Sequence, residues 1–191
     1  GVEQILHTTA AAKLLDALDA LEDNLLLAPI QSSVVPLPHQ LYALNRAISR
    51  DRIRYLLADE VGLGKTIEAG LVLRELKLRG RVKRILVVAP KGLVRQWQAE
   101  MRLHFSESFH FIEPAQLAAF RQWRGEEDNL WRTQDQVICS LDSVKPLEGR
   151  RGWSAEQLAN YNRDRFEDLV SAQWDLVIID EAHRMGGSTD Q

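Results

Sequence analysis

The sequence predicts a doubly wound α/β domain, and two patterns carry that expectation. Short, nearly all-apolar runs recur at residues 53–58, 84–89, 136–140 and 175–180, as strands buried on both faces require. Between them lie stretches whose apolar residues recur three and four positions apart, the period of a helix with one buried face. Strands alternating with helices imply right-handed crossovers and a parallel sheet. Composition agrees. The chain has 191 residues, 45% hydrophobic and 27% charged, the balance of a globular domain that closes a core without disulfide or metal.

Each element follows in order. Residues 10–27 place Leu14, Leu18, Leu21 and Leu25 at helical spacing among Asp16, Asp19, Glu22 and Asp23, which predicts an amphipathic helix. Pro29, Pro36 and Pro38 make the next stretch an extended connector, because proline donates no hydrogen bond and biases its predecessor away from helix. Residues 1–35 are thus an N-terminal helical extension and linker, and residues 36–191 the α/β lobe. A helix is expected over 39–49, a strand over 53–58, and a helix over 65–79 with Ile67, Leu71 and Leu78 on one side. A strand over 84–89 leads to a helix marked by Leu93, Val94, Trp97 and Met101. Residues 121–135 are charged and read as a surface loop. A strand follows at 136–140. Ser154 with Gln157 forms a capping box that opens a helix through Leu158, Tyr161 and Leu169. Residues 175–180 close the series as a buried strand.

Several function classes fall away. Lys and Arg number 24 against 27 Asp and Glu, a net charge of -3, so any nucleic-acid contact needs a local basic surface rather than bulk charge. The lone Cys139 cannot close an intrachain disulfide, and inside an apolar strand it reads as a small buried residue. Together with a start, Gly1-Val2-Glu3, that lacks a secretory signal, this points to the reducing cytoplasm. No apolar run approaches the roughly 18 residues of a membrane helix. Arg74, Lys77, Arg79, Arg81, Lys83 and Arg84 form a basic cluster. It reads as a solvated helix end rather than a phosphate surface, because ligands of open α/β sheets bind at the opposite, carboxyl ends of the strands. The tryptophans at 97, 123, 131, 153 and 174 follow no base-stacking pattern, and Trp97 reads as core.

Two segments carry chemistry. Asp59-Glu60-Val61-Gly62-Leu63-Gly64-Lys65-Thr66 stands between a predicted strand and a predicted helix. Gly62 and Gly64 let the backbone turn its N–H groups inward around Leu63, and the helix N-terminus adds a positive dipole end. Lys65 supplies a charge for β- and γ-phosphates, and Thr66 a hydroxyl for Mg²⁺. The pattern is GxxxxGK[ST] with Asp59 in place of the leading glycine. A ligand-free strand-to-helix turn is the alternative. At the far end, Asp180-Glu181-Ala182-His183 closes an apolar strand. Carboxylates there are costly unless they meet a cation or do chemistry. Asp180 is assigned to Mg²⁺, Glu181 to the base that activates water, and His183 to coupling with neighbouring elements. A simple helix cap is the alternative.

These residues resemble a known family. DEVGLGKT at 59–66 resembles motif I of the Swi/Snf-like branch of superfamily-two helicases, and DEAH at 180–183 matches motif II. ILVVAPKGLVRQW at 85–97 is similar to motif Ia, VICSLDS at 137–143 to motif Ib, and Pro38-His39-Gln40 to the adenine-side segment. LLADEVGLGKTIEAG is similar to the bacterial RNA-polymerase-associated Swi/Snf-type ATPases and to helicase-like proteins of phage defence. The resemblance covers residues 36–185.

It implies a RecA-like lobe that binds ATP and Mg²⁺ through Gln40, Asp59, Gly62, Leu63, Gly64, Lys65 and Thr66, with Lys65, Asp180 and Glu181 catalytic. It further implies a motor on DNA with little sequence preference, touching the backbone near Lys91, Gly92 and Ser140. RNA polymerase or a defence complex is the implied protein partner. Two rivals stand beside it: a P-loop ATPase acting on something other than nucleic acid, and a docking platform that uses residues 1–35. Family lobes carry a motif III strand between the strands of motifs I and II, and receive an arginine from a second lobe. Such an arginine is worth about 10³ to 10⁵ in rate, roughly 4 to 7 kcal/mol of barrier. The 191-residue chain is therefore expected to bind ATP weakly and turn it over negligibly, and to fill the vacant strand slot by strand exchange between chains or by a rearranged local segment.

Overall fold

A computed structural model describes residues 25–49, 64–123, 125 and 128–181. The predicted strand at 53–58, Asp59, Gly62, Leu63, His183 and most of the predicted N-terminal helix lie outside them. Residues 25–27, placed in that helix by their spacing, form a bend instead.

The helices are α1 (Pro38–Ile48), α2 (Lys65–Leu78), α3 (Val94–Phe105), α4 (Pro114–Trp123), α5 (Leu141–Val144) and α6 (Ala155–Ser171). The strands are β1 (Ile85–Ala89), β2 (His110–Ile112), β3 (Gln136–Ser140) and β4 (Leu176–Ile179). Short 3₁₀ turns cover Lys91–Leu93 and Leu130–Arg132. The sheet has the order β2-β3-β1-β4, and every pairing is parallel, with Ile85 opposite Gln136 on one side and Leu176 on the other. The predicted α/β architecture is the observed one.

All five residues of β1 are buried, because helices cover both faces of the sheet. Ile85, Val87 and Ala89 face Leu71 and Leu73 of α2 and Trp97, Met101 and Phe105 of α3. Leu86 and Val88 turn the other way, toward Val137, Cys139, Ile112, Trp131 and Leu141. Helix α2 packs tightly on α3: a Cβ on Gly70 would lie 2.2 Å from Cε2 of Phe105. Burial pushes the Cys139 thiol up to about 12, so it serves as a small apolar residue and not as a nucleophile. The stretch 121–135 is no plain surface loop. It completes α4 and then inserts Trp131, 3% exposed, into the core beneath the 3₁₀ turn.

At the amino ends of the strands the basic cluster is a helix end as expected, with Arg81 and Lys83 exposed, but Arg74, Lys77, Arg79 and Arg84 are bound into the fold. Arg74 Nη1 donates to Oε1 of the buried Glu107 at 2.7 Å, and Lys77 Nζ donates to its Oε2. Arg79 Nε donates to Glu75 Oε1 at 2.8 Å, while Glu75 Oε2 accepts the backbone N–H of Ala28. Arg84 ties three segments together, donating to the carbonyls of Ala172 and Trp131 and to Asp135 Oδ1, with its guanidinium 5.0 Å above Trp174. Asp175 Oδ2 accepts the backbone N–H groups of Arg84 (2.7 Å) and Lys83 (2.8 Å). Those two bonds, Arg84 first, hold its carboxyl below the usual range.

Within the described residues β4 pairs only with β1. The slot expected beside it involves residues 53–58, outside the described residues.

Candidate functional site

Chain direction brings the chemistry to one end. Helix α2 runs from Gly64 back to the amino end of β1, and 14 residues carry it about 21 Å, more than the about 16 Å of a five-residue strand. Gly64, Lys65 and Thr66 therefore stand at the carboxyl end of the sheet, where β4 delivers Asp180 and Glu181 and β1 delivers Lys91 and Gly92.

The phosphate-loop end is built around a conformation only glycine adopts easily. Gly64 has φ +82°, and a Cβ there would lie 2.9 Å from Nε2 of Gln40. The adenine-side and phosphate-side segments thus touch. Gln40 is 4% exposed, and its Oε1 accepts the N–H of Leu37, fixing the start of α1. His39 Nε2 lies 3.9 Å from the buried Glu68 of α2, which further joins the two helices. Lys65 meets no carboxylate, and the Thr66 hydroxyl no hydrogen-bond partner, among the described residues.

Asp180 is held at backbone and side chain. Its N–H donates to the Val88 carbonyl at 2.9 Å, continuing the ladder, and its Oδ2 accepts from Trp97 Nε1 at 2.9 Å. Its Oδ1 has no protein partner among the described residues. Glu181 has φ 55°, a left-handed conformation uncommon outside glycine, which turns the chain off the strand axis. No three His, Cys, Asp or Glu side chains among the described residues could hold a metal by themselves. The Asp180 Oδ1 and the Thr66 hydroxyl, without partners among the described residues, are hard donors of the kind Mg²⁺ takes when phosphates and water complete its shell. The residues fit that ion.

The bond from Trp97 is a contact that sequence reasoning missed. A core assignment accounts for the ring but not for its N–H, and a buried indole donor needs an acceptor. Ser140 requires a correction. It was expected at the nucleic-acid surface, yet it is 1% exposed and its Oγ lies 3.4 Å from that of Ser143, because α5 starts at once and covers the strand end. Lys91 and Gly92 are exposed as expected.

The loop between α5 and α6, also at the carboxyl end, adds Lys145, Arg150 and Arg151, none paired with a carboxylate among the described residues. The Arg150 guanidinium lies 4.3 Å over Trp153, whose edge meets Tyr161 at 5.1 Å between centroids. Arg121 and Arg165 flank the same Tyr161 beside a cavity of about 90 Å³. Burial, foremost, lowers the Arg165 pKa, with Arg121 adding to it and Tyr161 opposing. Arg165 donates to the carbonyls of Asp142 and Ser143, and Arg121 to Asp168, so both are structural.

Comparison with known proteins agrees with this layout. The profile of the SNF2-related domain matches residues 39–191. The RNA polymerase-associated protein RapA of Proteus mirabilis is 38% identical over 159 residues, covering 83% of this chain and 14% of that protein. RapA of Vibrio vulnificus is 42% identical over 156 residues, 81% of this chain and 14% of its own length. The chain thus spans a small part of the relatives it matches. Among solved structures, the SWI2/SNF2 ATPase core of Sulfolobus solfataricus in complex with dsDNA matches with a TM-score of 0.51 and 18% identity, over 81% of this chain and 33% of that one. That likeness shows a shared fold.

Proposed function

Because the chain belongs to the SNF2-related domain family, we propose that it is the ATP-binding lobe of a DNA-dependent ATPase that moves along duplex DNA. One observation carries the reading: Gly64–Thr66, Asp180 and the exposed Lys91–Gly92 turn stand at one end of one parallel sheet. Gln40 lines the base side. The N–H groups at the start of α2 and the Lys65 amine bind the phosphates. Thr66 and Asp180 hold Mg²⁺, which when bound offsets charge on the transferring phosphoryl group. Glu181 orients the attacking water and takes its proton.

Duplex DNA passes the same end, its phosphates meeting Lys91 and Gly92 and the open cations Lys145, Arg150 and Arg151. The contacts are to backbone, so sequence preference is slight. RNA polymerase is the protein partner that the name of the RapA relatives suggests, and the reducing cytoplasm the compartment.

The test is ATP hydrolysis by the protein that carries this lobe, with and without duplex DNA. Stimulation by DNA that disappears in Lys65→Ala supports the reading. Hydrolysis indifferent to DNA assigns the motor to a protein partner instead, and hydrolysis unaffected by Lys65→Ala removes the nucleotide site from this lobe.

A further inference from the structure

We propose that Trp97 is a positioning residue for the metal-binding carboxylate, its indole N–H selecting which oxygen of Asp180 faces the cation; this rests on the reading of Asp180 as the Mg²⁺ carboxylate. Trp97 is 3% exposed and belongs to the core that α3 builds with β1, so packing against Val87, Met101 and Phe105 and their neighbours fixes its ring. From that fixed ring Nε1 reaches Oδ2 of Asp180 at 2.9 Å. The Asp180 N–H is engaged by Val88, so the residue is held at two points and its rotamer is set before any ligand arrives. Oδ1 has no partner among the described residues.

The chemistry of the donor matters. An indole N–H only donates and carries no charge. It orients the carboxylate without neutralising it, whereas an arginine or lysine in the same place would compete with the metal as a counter-ion. Outer-shell partners of this kind typically govern 10- to 100-fold in metal affinity. A merely structural role, in which the bond ties α3 to the end of β4, would move stability alone.

The test uses the 191-residue chain. Trp97→Phe keeps an apolar ring and removes the N–H. Binding of a fluorescent ADP analogue is titrated without metal and over a range of Mg²⁺ concentrations, beside thermal unfolding of each variant. The expected result is an about 10-fold higher Mg²⁺ midpoint with metal-free affinity close to the parent's, beside the lowered melting temperature that the lost core packing alone would give. An unchanged midpoint in Trp97→Phe, with Mg²⁺ dependence lost in Asp180→Asn, overturns the positioning role alone. Retained Mg²⁺ dependence in Asp180→Asn overturns the assignment of Asp180 beneath it. Should Trp97→Phe fail to fold, the indole N–H resonances of the parent decide, with Trp97 assigned by directed labelling. A shift of that resonance when Mg²⁺ is added to the ADP-bound chain supports the proposal, and a resonance indifferent to the ion overturns it.

Discussion

The two ends of the sheet use the same cations in opposite ways. At the amino end Arg74 and Lys77 close on Glu107, Arg79 on Glu75, and Lys83 and Arg84 on Asp135. At the carboxyl end Lys65, Lys91, Lys145, Arg150 and Arg151 meet no carboxylate among the described residues. Burial accounts for part of the division: Lys83 pairs although it is 80% exposed, and Lys65 and Lys145 are half-buried. Arg74, Lys77, Arg79 and Arg84 lie largely within the fold, where an unanswered charge is costly. Arg150 and Arg151 stand in water, where leaving them open costs little. The densest basic run in the sequence is therefore tied into the fold, and the sparser one meets no carboxylate among the described residues. Charge counts alone would have ranked them the other way.

The largest expected effect lies at the amino end. Glu107→Ala leaves two cations without their shared carboxylate and should cost about 2–4 kcal/mol in chemical denaturation, less than full burial would imply because both cations keep some water. Nucleotide affinity of the folded protein should stay unchanged; a lowered affinity would mean that the two ends are not separable. Lys65→Ala should do the converse. It should weaken nucleotide binding about 10- to 100-fold, the worth of one charged contact, while stability moves by no more than about 0.5 kcal/mol.

A smaller effect is expected from Arg150→Ala with Arg151→Ala in the protein that carries this lobe. The slope of log affinity for duplex DNA against log salt should fall by about one for each arginine removed. An unaltered slope would confine the DNA surface to the Lys91 turn. The smallest belongs to Asp175. Its folded pKa lies below the unfolded one, so its contribution is complete above about pH 4 and is lost as pH falls through the folded value. Asp175→Asn should remove that part of the acid slope, and a variant that follows the parent's acid curve would show that the two backbone bonds contribute nothing.

Much of the scaffold was legible because its signals are local. The β3 run 136–140 is the observed strand, and 84–89 differs from β1 by one residue. The Ser154–Gln157 box closes as written, with reciprocal bonds of 3.1 and 2.9 Å. Strand β2 escaped notice because three residues, His110–Ile112, give no period to read. Helix α4 escaped because it buries no residue fully, Leu117 only packing against the core from outside. Trp131 sits among charges in sequence and in the core in space. For the candidate site, the sequence offers Gly64, Lys65 and Asp180 because each lies in a contiguous motif. Ser140 was misjudged because only the next element decides whether a strand's last residue reaches water. The pairing of Trp97 with Asp180 joins distant positions, and nothing local announces it.

Strand β1 lies between β3 and β4, both made after it. During vectorial synthesis it leaves the ribosome with each edge bare. One is answered when residues 136–140 emerge, the other only with 176–179, so a nascent chain passes through a stage at which Val87 and Val88 bound an incomplete sheet. Such a stage is where chaperones act and where crowded overexpression diverts chains into inclusion bodies. Slower translation between β3 and β4 would lengthen that exposure.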